Sequence, residues 1–411
     1  MIARSQMLYE CWSEVVRERS NQPALRHPDV PGGWTFSDLD RRAGDIELPA
    51  SGYAIARGDT LDYFPTILAA WKNKLPVLIL ESRDSRPRPI HGNIPEGTAL
   101  IKQTCGAPGV ERSLFFGPSQ VLAEGLRNTR SLELNPDHRS IAAISLAHSY
   151  GFGCLALPLL LAGIPIDIVP SPLPVFIQEA LAKDGAFFLP SVPAIWKTWW
   201  LTKALDGSSI SLALSAGAPL SLDLENGVWN DTGTKLHNFY GTTETGAVAF
   251  DRSTNPRTDA SLIGDVLDGV DVTTLNQERI AVHTDAQATG SDVELRENEF
   301  NSPHYLTMDV GQVVDDKQLH WHDHVGMAIN VAGRKVSPEK IKRVCLTTPG
   351  ILEARVFGTR SRDFERFEEV SVAISIEANC DLKQIKTAIY NRLDSWEVPR
   401  HWEVNAENSK S

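Results

Sequence analysis

The residue types that could do chemistry together are concentrated in one stretch, KLHNFYGTTETG, at residues 235–246. An aromatic ring, Tyr240, is followed by two hydroxyl groups, Thr242 and Thr243. A carboxylate, Glu244, comes directly after them. The ring can stack on a base, the hydroxyls can donate to phosphate oxygens, and the carboxylate is an oxygen ligand of the kind that Mg²⁺ prefers. The stretch therefore suits a nucleotide with its metal, although a surface turn with an exposed acid would have the same composition.

Short apolar runs alternate with helix-like segments along the chain, and this alternation predicts an α/β fold. Each strand candidate ends at Gly, Pro or a polar cluster; they read DTLDYF, PVLIL, IAAISL, IDIVP, GAFFLP and SLALSAG. Ligands in open α/β sheets collect at the carboxyl ends of the strands. We therefore expect the site to form where these runs end.

The sequence changes character near residue 325, where INVAGRKVSPEKIKRVCLTTPG is followed by EARVFG, SVAISIEA and a last helix, LKQIKTAIYNRL. Ser337 suits an N-cap and Pro338 suits the first position of a helix. We predict a large N-terminal α/β region of several subdomains over residues 1–324. A small, mobile C-terminal α+β domain is predicted over residues 325–411.

The bulk composition excludes several classes of protein. A chain of 411 residues is longer than one core usually supports, so two or more domains are expected. The net charge of −12, with the acids spread along the chain, disfavours nucleic-acid binding. The five cysteines lie far apart without CxxC spacing, which indicates neither a disulfide framework nor a zinc site.

Neither of two candidate segments has the pattern of a targeting or membrane signal. The N-terminal stretch MIARSQMLYECWSEVV has no uninterrupted apolar core and does not read as a signal peptide. The run GFGCLALPLLLAGIPI at residues 151–166 contains Pro158 and Pro165 and is short for a membrane span. We therefore expect a cytoplasmic protein without a membrane span.

Several motifs, in this order, resemble the adenylate-forming (AMP-binding) superfamily of acyl- and aryl-CoA ligases, adenylation domains and luciferases. NFYGTTETG is similar to the YGxTE signature of that family, and LALSAGAPLS is similar to its SGGAPL segment. WTFSDLDRRA resembles the opening motif of the family, and LAHSYGFGCLALPLLLAG resembles its acyl-pocket strand and helix. INVAGRKVSPEKIKRVCLTTPGILEARVFG resembles the start of its C-terminal domain. The resemblance runs from about Trp34 to Lys410, with a shortened N-terminal region.

The resemblance implies an ATP-dependent ligase. A small carboxylic acid would attack the α-phosphate of ATP, releasing pyrophosphate and leaving an acyl-AMP. A thiol of CoA, or of the phosphopantetheine on an acyl carrier protein, would then displace AMP. Because both reactants of the first step are anionic, Mg²⁺, cations and hydrogen-bond donors must offset their repulsion.

The resemblance also assigns a nucleotide site. Tyr240 would stack on adenine, and Asn238 would hold the edge of the base. Thr243 would donate to the α-phosphate as a catalytic residue, and Glu244 would bind Mg²⁺. Gly217 would let the backbone approach adenine, and Asp309 would accept from the ribose hydroxyls. Gly241 is also assigned to the nucleotide site.

Two further positions are expected to face the acid and the thiol. His148, in LAHSYG, matches a residue that lines the acyl pocket, although a core histidine bonded to backbone is an equal alternative. Gly333, next to Lys335 in NVAGRKVSPEK, resembles the loop that turns toward the site for the thiol step. A glycine there would let a narrow pantetheine arm pass close to the backbone.

The phosphate loop departs from the family pattern. QTCGAPGVER stands where TSGSTGxPK is common, and only Thr104, Gly106, Gly109 and Arg112 remain in register. Hydroxyl residues are missing, and Pro108 also removes a backbone N–H donor. We expect a weaker grip on the β- and γ-phosphates.

The hinge and the C-terminus depart as well. His324 stands where the family has an arginine that contacts ribose, and it is a weaker, titratable substitute. Lys410 lies ten residues past Arg400, closer than the catalytic lysine of the family. It is either that catalytic lysine on a shortened arm or the charged end of a tail.

Two alternatives to the ligase follow from the residues. The departures would fit a catalytically impaired adenylation-fold protein that acts as a binding or scaffold partner. The stretch GFGCLA at residues 151–156 formally fits the GxGxxA fingerprint of a nicotinamide-dependent oxidoreductase, but Pro158 interrupts the helix and Asp167 comes too early for the ribose. The sequence leaves open the acid, the thiol acceptor and the oligomeric state.

Overall fold

The structure is a computed structural model that describes residues 6–105, 111–183, 185–275, 279–293, 303–315, 317–324, 329–377 and 380–407. The α-helices are Gln6–Arg19 (α1), Phe36–Gly44 (α2), Tyr63–Lys72 (α3), Pro118–Ser131 (α4), Ser149–Gly151 (α5), Leu157–Ala162 (α6), Pro174–Leu181 (α7), Pro193–Leu201 (α8), Leu222–Thr232 (α9), Pro338–Leu346 (α10) and Leu382–Tyr390 (α11). A π-helix, Phe152–Ala156, joins α5 to α6, and Phe364–Arg366 forms a 3₁₀ turn.

The strands up to the site hairpin are Pro23–His27 (β1), Val30–Thr35 (β2), Ala54–Arg57 (β3), Val77–Leu80 (β4), Leu100–Cys105 (β5), Glu111–Phe116 (β6), His138–Ala142 (β7), Ile166–Ile168 (β8), Ala186–Ser191 (β9), Ile210–Ser215 (β10), Leu236–Thr242 (β11) and Gly246–Phe250 (β12). The later strands are Leu262–Val266 (β13), Val270–Leu275 (β14), Arg279–Thr284 (β15), Gly290–Ser291 (β16), Tyr305–Val314 (β17), Gln318–His324 (β18), Ile329–Val331 (β19), Arg334–Val336 (β20), Ile351–Arg360 (β21), Glu368–Glu377 (β22) and His401–Glu407 (β23).

The sheets confirm the predicted α/β class, with large mixed sheets in the N-terminal part and small sheets in the C-terminal part. Among the described residues, one sheet has 13 strands in the order β14-β15-β17-β18-β13-β12-β11-β10-β9-β7-β8-β1-β2, and a second has five in the order β16-β6-β5-β4-β3. The C-terminal part contributes the β19–β20 hairpin and the three-stranded sheet β21-β22-β23. The division at residue 324 stays a prediction, and residues 325–328 lie outside the described part.

The parallel centre of the large sheet positions the site. Strands β8, β7, β9, β10 and β11 pair in parallel, so their carboxyl ends share one edge. Ser215 at the end of β10 pairs with Asn238 of β11. Helix α9, which follows β10, is capped at both ends: Ser221 accepts from the Leu224 N–H at its start, and Gly233 ends it at a φ of 71°.

Three predictions of secondary structure were wrong or incomplete. IAAISL, at residues 141–146, overlaps β7 only at Ile141 and Ala142. DTLDYF forms a turn and the start of α3 instead of a strand, because FPTILAAWK continues as an apolar helix whose third residue is Pro65. A strand after the last predicted helix was also missed: β23 follows α11 and pairs in parallel with β22. By contrast, PVLIL, GAFFLP and SLALSAG coincide with β4, β9 and β10.

The longest apolar run is interior structure. Residues 151–162 form the end of α5, the π-helix and α6, and they are buried against α1 and α4 except at the last residue. Gly163 ends this segment in the left-handed conformation, at a φ of 66°. In the described part of the chain, no helix is long and apolar enough to cross a membrane.

Candidate active site

A cavity of about 930 Å³ lies where the carboxyl ends of β10 and β11 meet the β11–β12 hairpin and the β19–β20 hairpin. It is lined by ten of the residues that the sequence singled out. Those expected at the nucleotide are Thr104, Gly217, Asn238, Tyr240, Gly241, Thr243, Glu244 and Asp309. Those expected at the acid and the thiol are His148 and Gly333.

The tip of the β11–β12 hairpin presents Thr243 and Glu244 to the cavity. Gly241 is required for this turn, because a Cβ there would lie 2.5 Å from the carbonyl oxygen of Gly246. Inside the turn, the Thr242 and Thr245 hydroxyls are 3.0 Å apart and the Thr245 N–H donates to Thr242 Oγ1 at 3.2 Å. The hairpin therefore fixes its own backbone and leaves Thr243 and Glu244 at the cavity.

Tyr240 and Asp309 form a hydrogen-bonded pair. The Tyr240 hydroxyl donates to Asp309 Oδ2 at 2.7 Å, and Trp321 Nε1 donates to Asp309 Oδ1 at 3.1 Å. Burial, together with the charge of Asp309, raises the pKa of Tyr240 well above its usual value, so the phenol stays a neutral donor. A carboxylate has about four acceptor positions, so these bonds are compatible with further donors such as ribose hydroxyls.

Glu244 is paired with Arg112. Arg112 Nη2 donates to Glu244 Oε1 at 2.6 Å and to the Tyr305 hydroxyl oxygen at 2.8 Å. Both charged side chains are largely buried, with 3% and 10% of their surface exposed. Arg112 lies opposite Thr104 in the β5–β6 pairing, so the arginine reaches the β11–β12 hairpin from the start of β6.

The β19–β20 hairpin of the C-terminal part packs against the loop that contains Gly217. A Cβ on Gly333 would lie 3.0 Å from the Gly217 carbonyl oxygen, and Gly333 has a φ of +86° that favours glycine. The Gly333 N–H donates to Asn330 Oδ1 at 3.0 Å, which fixes the turn. Arg334 then bonds Glu81 of the N-terminal part at 2.6 Å.

Lys335 of this hairpin lines the cavity. Burial lowers the pKa of Lys335 below its usual value, while the negative charges of Asp309, Glu368 and Glu244 oppose that shift. The C-terminal part thus places a cation in the field of the two carboxylates of the candidate nucleotide site.

His148 combines the two roles that the sequence left open. Its Nδ1 accepts from the Tyr150 N–H at 3.4 Å, which caps α5, and the same side chain lines the cavity. The proton of the neutral ring is therefore on Nε2. Burial lowers the pKa of His148, so the imidazole is neutral near pH 7.

Four predicted residues have limited or no description. Gly106, Gly109 and Lys410 lie outside the described residues. The backbone of His324 pairs with Asp309 across β17 and β18, which brings the predicted hinge next to the predicted ribose ligand. The functional roles of all the site residues stay predictions.

Several cavity residues were missed in the sequence. Trp321, Tyr305 and the buried side chains Lys102, Glu124 and Asn128 all line the cavity. They lie on β18, β17, β5 and α4, and no local motif joins them. Only the strand pairing and the helix packing bring them to one place.

Comparison with known proteins shows which families and structures the chain is similar to. Residues 119–290 match the model of the AMP-binding enzyme family. The chain is 25% identical over 312 residues to 4-coumarate–CoA ligase from Vanilla planifolia, an alignment that covers 69% of this chain and 56% of that protein. It is 23% identical over 366 residues to sulfoacetate–CoA ligase from Cupriavidus necator, covering 84% and 70%.

Solved structures share the fold. A double mutant of o-succinylbenzoate CoA synthetase from Bacillus subtilis superposes with a TM-score of 0.82 at 14% identity, covering 96% of this chain and 94% of that one. A malonyl-CoA ligase complex with methylmalonyl-CoA and AMP gives a TM-score of 0.75 at 18% identity, covering 95% and 97%.

Residues 119–290 thus match the AMP-binding enzyme family, and the chain as a whole is similar in sequence and fold to CoA ligases. Its curated homologues are CoA ligases. The chain spans 56% of the length of the Vanilla protein.

Proposed function

We propose that the chain is an ATP-dependent acid–thiol ligase. It activates a carboxylic acid as an acyl-AMP, releases pyrophosphate, and passes the acyl group to the thiol of CoA or of a carrier-protein phosphopantetheine. The observation that carries the proposal is a single cavity lined both by the Thr243–Glu244 turn and by the Gly333–Lys335 hairpin. Formation of the acyl-AMP needs the Thr243–Glu244 turn, and transfer to the thiol needs access past the Gly333–Lys335 hairpin.

The nucleotide is held in this proposal by Tyr240 and Asp309. The ring of Tyr240 provides a face for adenine, and its hydroxyl is fixed by the 2.7 Å bond to Asp309. The carboxylate accepts from the ribose hydroxyls, and Asn238 contacts the base edge. Gly217, at a φ of +83°, lets the backbone approach the ring.

The phosphates meet donors and cations on both sides of the cavity. The Thr243 hydroxyl donates to the α-phosphate, where charge develops as the acid attacks. Lys335 supplies a cation from the C-terminal part. Arg112 of β6 adds positive charge from behind the cavity lining, where it is bonded to Glu244 and Tyr305.

Glu244 fits a magnesium role in this arrangement. Mg²⁺ is commonly held by one or two carboxylates together with substrate phosphates, and Glu244 offers carboxylate oxygens at the cavity. Within the described residues no three His, Cys, Asp or Glu side chains cluster, so the phosphates of ATP would supply most of the ligands. The metal, when bound, neutralises phosphate charge.

The thiol acceptor enters past the β19–β20 hairpin. Gly333 and Gly217 form a close backbone contact between the two parts, which a slender pantetheine arm could use. Relatives named as CoA ligases support CoA as the acceptor. A carrier-protein thiol has the same chemistry at the sulfur and stays the alternative.

ATP–pyrophosphate exchange tests the proposal. The panel of acids contains 4-coumarate, sulfoacetate, o-succinylbenzoate, malonate, and short-chain and fatty acids. We expect exchange that depends on at least one acid, and absence of exchange with every acid would contradict the proposal. Lys410→Ala is measured alongside: loss of exchange supports a catalytic role of Lys410, and full exchange excludes it.

A second candidate is a catalytically impaired adenylation-fold protein that acts as a binding or scaffold partner. The Arg112–Glu244 ion pair favours it, because the carboxylate expected to hold Mg²⁺ already has a buried cationic partner at 2.6 Å. Calorimetry with ATP and Mg²⁺ separates the candidates. Binding without exchange supports the scaffold, and absence of binding contradicts both.

A further inference from the structure

Three polar side chains that line the cavity take no part in the nucleotide contacts proposed above. We call Lys102, Glu124 and Asn128 the polar floor. All three side chains line the cavity and all are almost fully buried, with residue exposures of 2%, 3% and 1%. Lys and Glu are rarely buried to this extent unless they are paired. Their position therefore requires an explanation.

The fold builds the polar floor from two elements and covers it with a third. Lys102 lies on β5, and Glu124 and Asn128 lie one turn apart on α4. Gly153 of the π-helix covers them, because a Cβ there would lie 2.6 Å from Glu124 Oε1 and 2.9 Å from Asn128 Nδ2. The floor also adjoins the Thr243–Glu244 turn, since a Cβ on Gly246 would lie 3.3 Å from Glu124 Cγ.

The polar floor has hydrogen-bonding capacity that the described part of the chain does not use. Lys102 Nζ donates to Glu124 Oε2 at 3.1 Å, and it also lies over the rings of Phe116 and Phe152. Asn128 Nδ2 donates to the Gly153 carbonyl at 2.9 Å, which fixes the orientation of the amide. Asn128 Oδ1 is buried and has no partner among the described residues. An ammonium has three donors, and an unsatisfied buried acceptor is costly.

The charges of the polar floor select among ligand groups. A second carboxylate would be repelled by Glu124, and an ammonium would be repelled by Lys102. An apolar end would leave the donors and acceptors unpaired in a dry site. A hydroxyl can accept from Lys102 and donate to Asn128 Oδ1 or to Glu124 Oε1, so it satisfies the site without adding charge.

We propose that the polar floor binds a hydroxyl group on the acid substrate, so that the substrate class is hydroxylated carboxylic acids, aromatic or aliphatic. The proposal rests on the proposed ligase function, because it takes the cavity as the acid site. Two observations support it whether or not the protein is catalytically active: Asn128 Oδ1 has no hydrogen-bond partner among the described residues, and the Lys102–Glu124 pair is buried.

Calorimetry without ATP compares acids that differ by one hydroxyl: 4-hydroxycinnamate with cinnamate, 4-hydroxybenzoate with benzoate, and 6-hydroxyhexanoate with hexanoate. We expect the hydroxylated member of at least one pair to bind about tenfold to a hundredfold more tightly, as for hydrogen bonds to charged groups. Affinities within about twofold in every pair, or no binding of any acid, would overturn the inference.

Variants separate recognition from structure. The double change Lys102→Met and Glu124→Leu replaces the ion pair by apolar groups, a change that buried pairs often tolerate. It should abolish the preference for the hydroxyl. Gly153→Ala should do the same by crowding Glu124 Oε1, whereas Thr129→Val, on α4 but away from the cavity, should keep the preference. A preference that survives both the double variant and Gly153→Ala would overturn the inference.

Exchange assays on the same samples keep the two proposals apart. Discrimination in binding without pyrophosphate exchange would contradict the ligase and support the polar floor. Acid-dependent exchange without discrimination would support the ligase and contradict the polar floor.

Discussion

Asp309 is the residue on which the nucleotide assignment depends most directly. Its two carboxylate oxygens accept from Tyr240 and Trp321, so the side chain is fixed before any ligand binds. Pre-fixed acceptors bind a ligand without the cost of ordering a side chain.

Asp309→Asn tests this assignment with little change of shape. The amide turns one oxygen into a donor, which faces either the Tyr240 hydroxyl or the Trp321 N–H. We expect ATP to bind about tenfold to a hundredfold more weakly by calorimetry, because hydrogen bonds to a charged group are lost. Asp271→Asn, at an exposed position of β14 that bonds His304, is the matched control and should bind ATP normally. Equal affinity in both variants would contradict the ribose role.

Lys335 gives a prediction in pH. Burial lowers the pKa of this lysine, so it loses its charge at a lower pH than an exposed lysine does. If its cation is needed, the rate falls as pH rises through that lowered pKa. Arginine keeps its charge throughout this range. The alkaline limb of kcat/KM should therefore move to higher pH in Lys335→Arg.

The measurement is the pH profile of acyl-adenylate formation, with Lys335→Met as the neutral control. The methionine variant should be slower at every pH and should lose the alkaline limb assigned to this group. An alkaline limb at the same pH in the unchanged protein, in Lys335→Arg and in Lys335→Met would show that a group other than Lys335 titrates.

Local sequence identified only the part of the site that is contiguous in the chain. Tyr240, Thr243 and Glu244 are in one turn, so their types and spacing were informative. Tyr240 and Asp309 are 69 positions apart; the resemblance assigned both to the nucleotide, but the bond between them was not predicted. The polar floor was not predicted, because a lone lysine in a strand gives no sign of its partner on α4.

At the level of elements, the hairpins that carry the site depend on glycine. Gly333 combines a positive φ with close contact to Gly217, whereas Gly269, between β13 and β14, has a φ of +77° and open space within 4 Å of the position that a Cβ would take. A substitution at either glycine would therefore cause similar backbone strain, but only a substitution at Gly333 would also disturb a contact, the one with Gly217.

Gly333→Ala and Gly269→Ala separate those effects. Both should lose roughly 1 kcal/mol or more of unfolding free energy through the positive φ, measured by chemical denaturation. Only Gly333→Ala should also slow acyl transfer to CoA, by about tenfold, because its Cβ lies 3.0 Å from the Gly217 carbonyl oxygen. Equal transfer rates in the two variants would contradict a role of this contact in the thiol step.

Apolar periodicity predicted central strands better than boundaries. The last three residues of β10 and the last five of β9 are buried, and both strands end at a serine, so the pattern was clear. DTLDYF mixes acids and aromatics, and the tertiary packing of Tyr63 and Phe64 starts a helix there. Strand β23 was missed because its alternation, HWEVNAE, follows a turn and pairs with β22 rather than with a near neighbour.

For the whole molecule, the contacts between the N-terminal and C-terminal parts matter beyond the cavity. Lys197 on α8 donates to Asp363 at 2.8 Å and to Glu365 at 2.9 Å, and Ser221 donates to Glu365 at 2.6 Å. The hydrogen bond to Asp363 raises the pKa of Lys197, with a further contribution from Glu365. These bonds hold the C-terminal part in the arrangement that brings Gly333 to Gly217.

Lys197→Met should therefore weaken this arrangement without touching the cavity. Lys197 is partly exposed, so its ion pairs are screened and the expected effect is modest. Transfer from preformed acyl-AMP to CoA should slow by about threefold to tenfold, and ATP–pyrophosphate exchange should be unchanged if the C-terminal part moves between the half-reactions. Arg17→Met, which removes an exposed ion pair with Glu14 on α1, should change neither rate. Equal loss of both activities in Lys197→Met would contradict a separate arrangement for the thiol step.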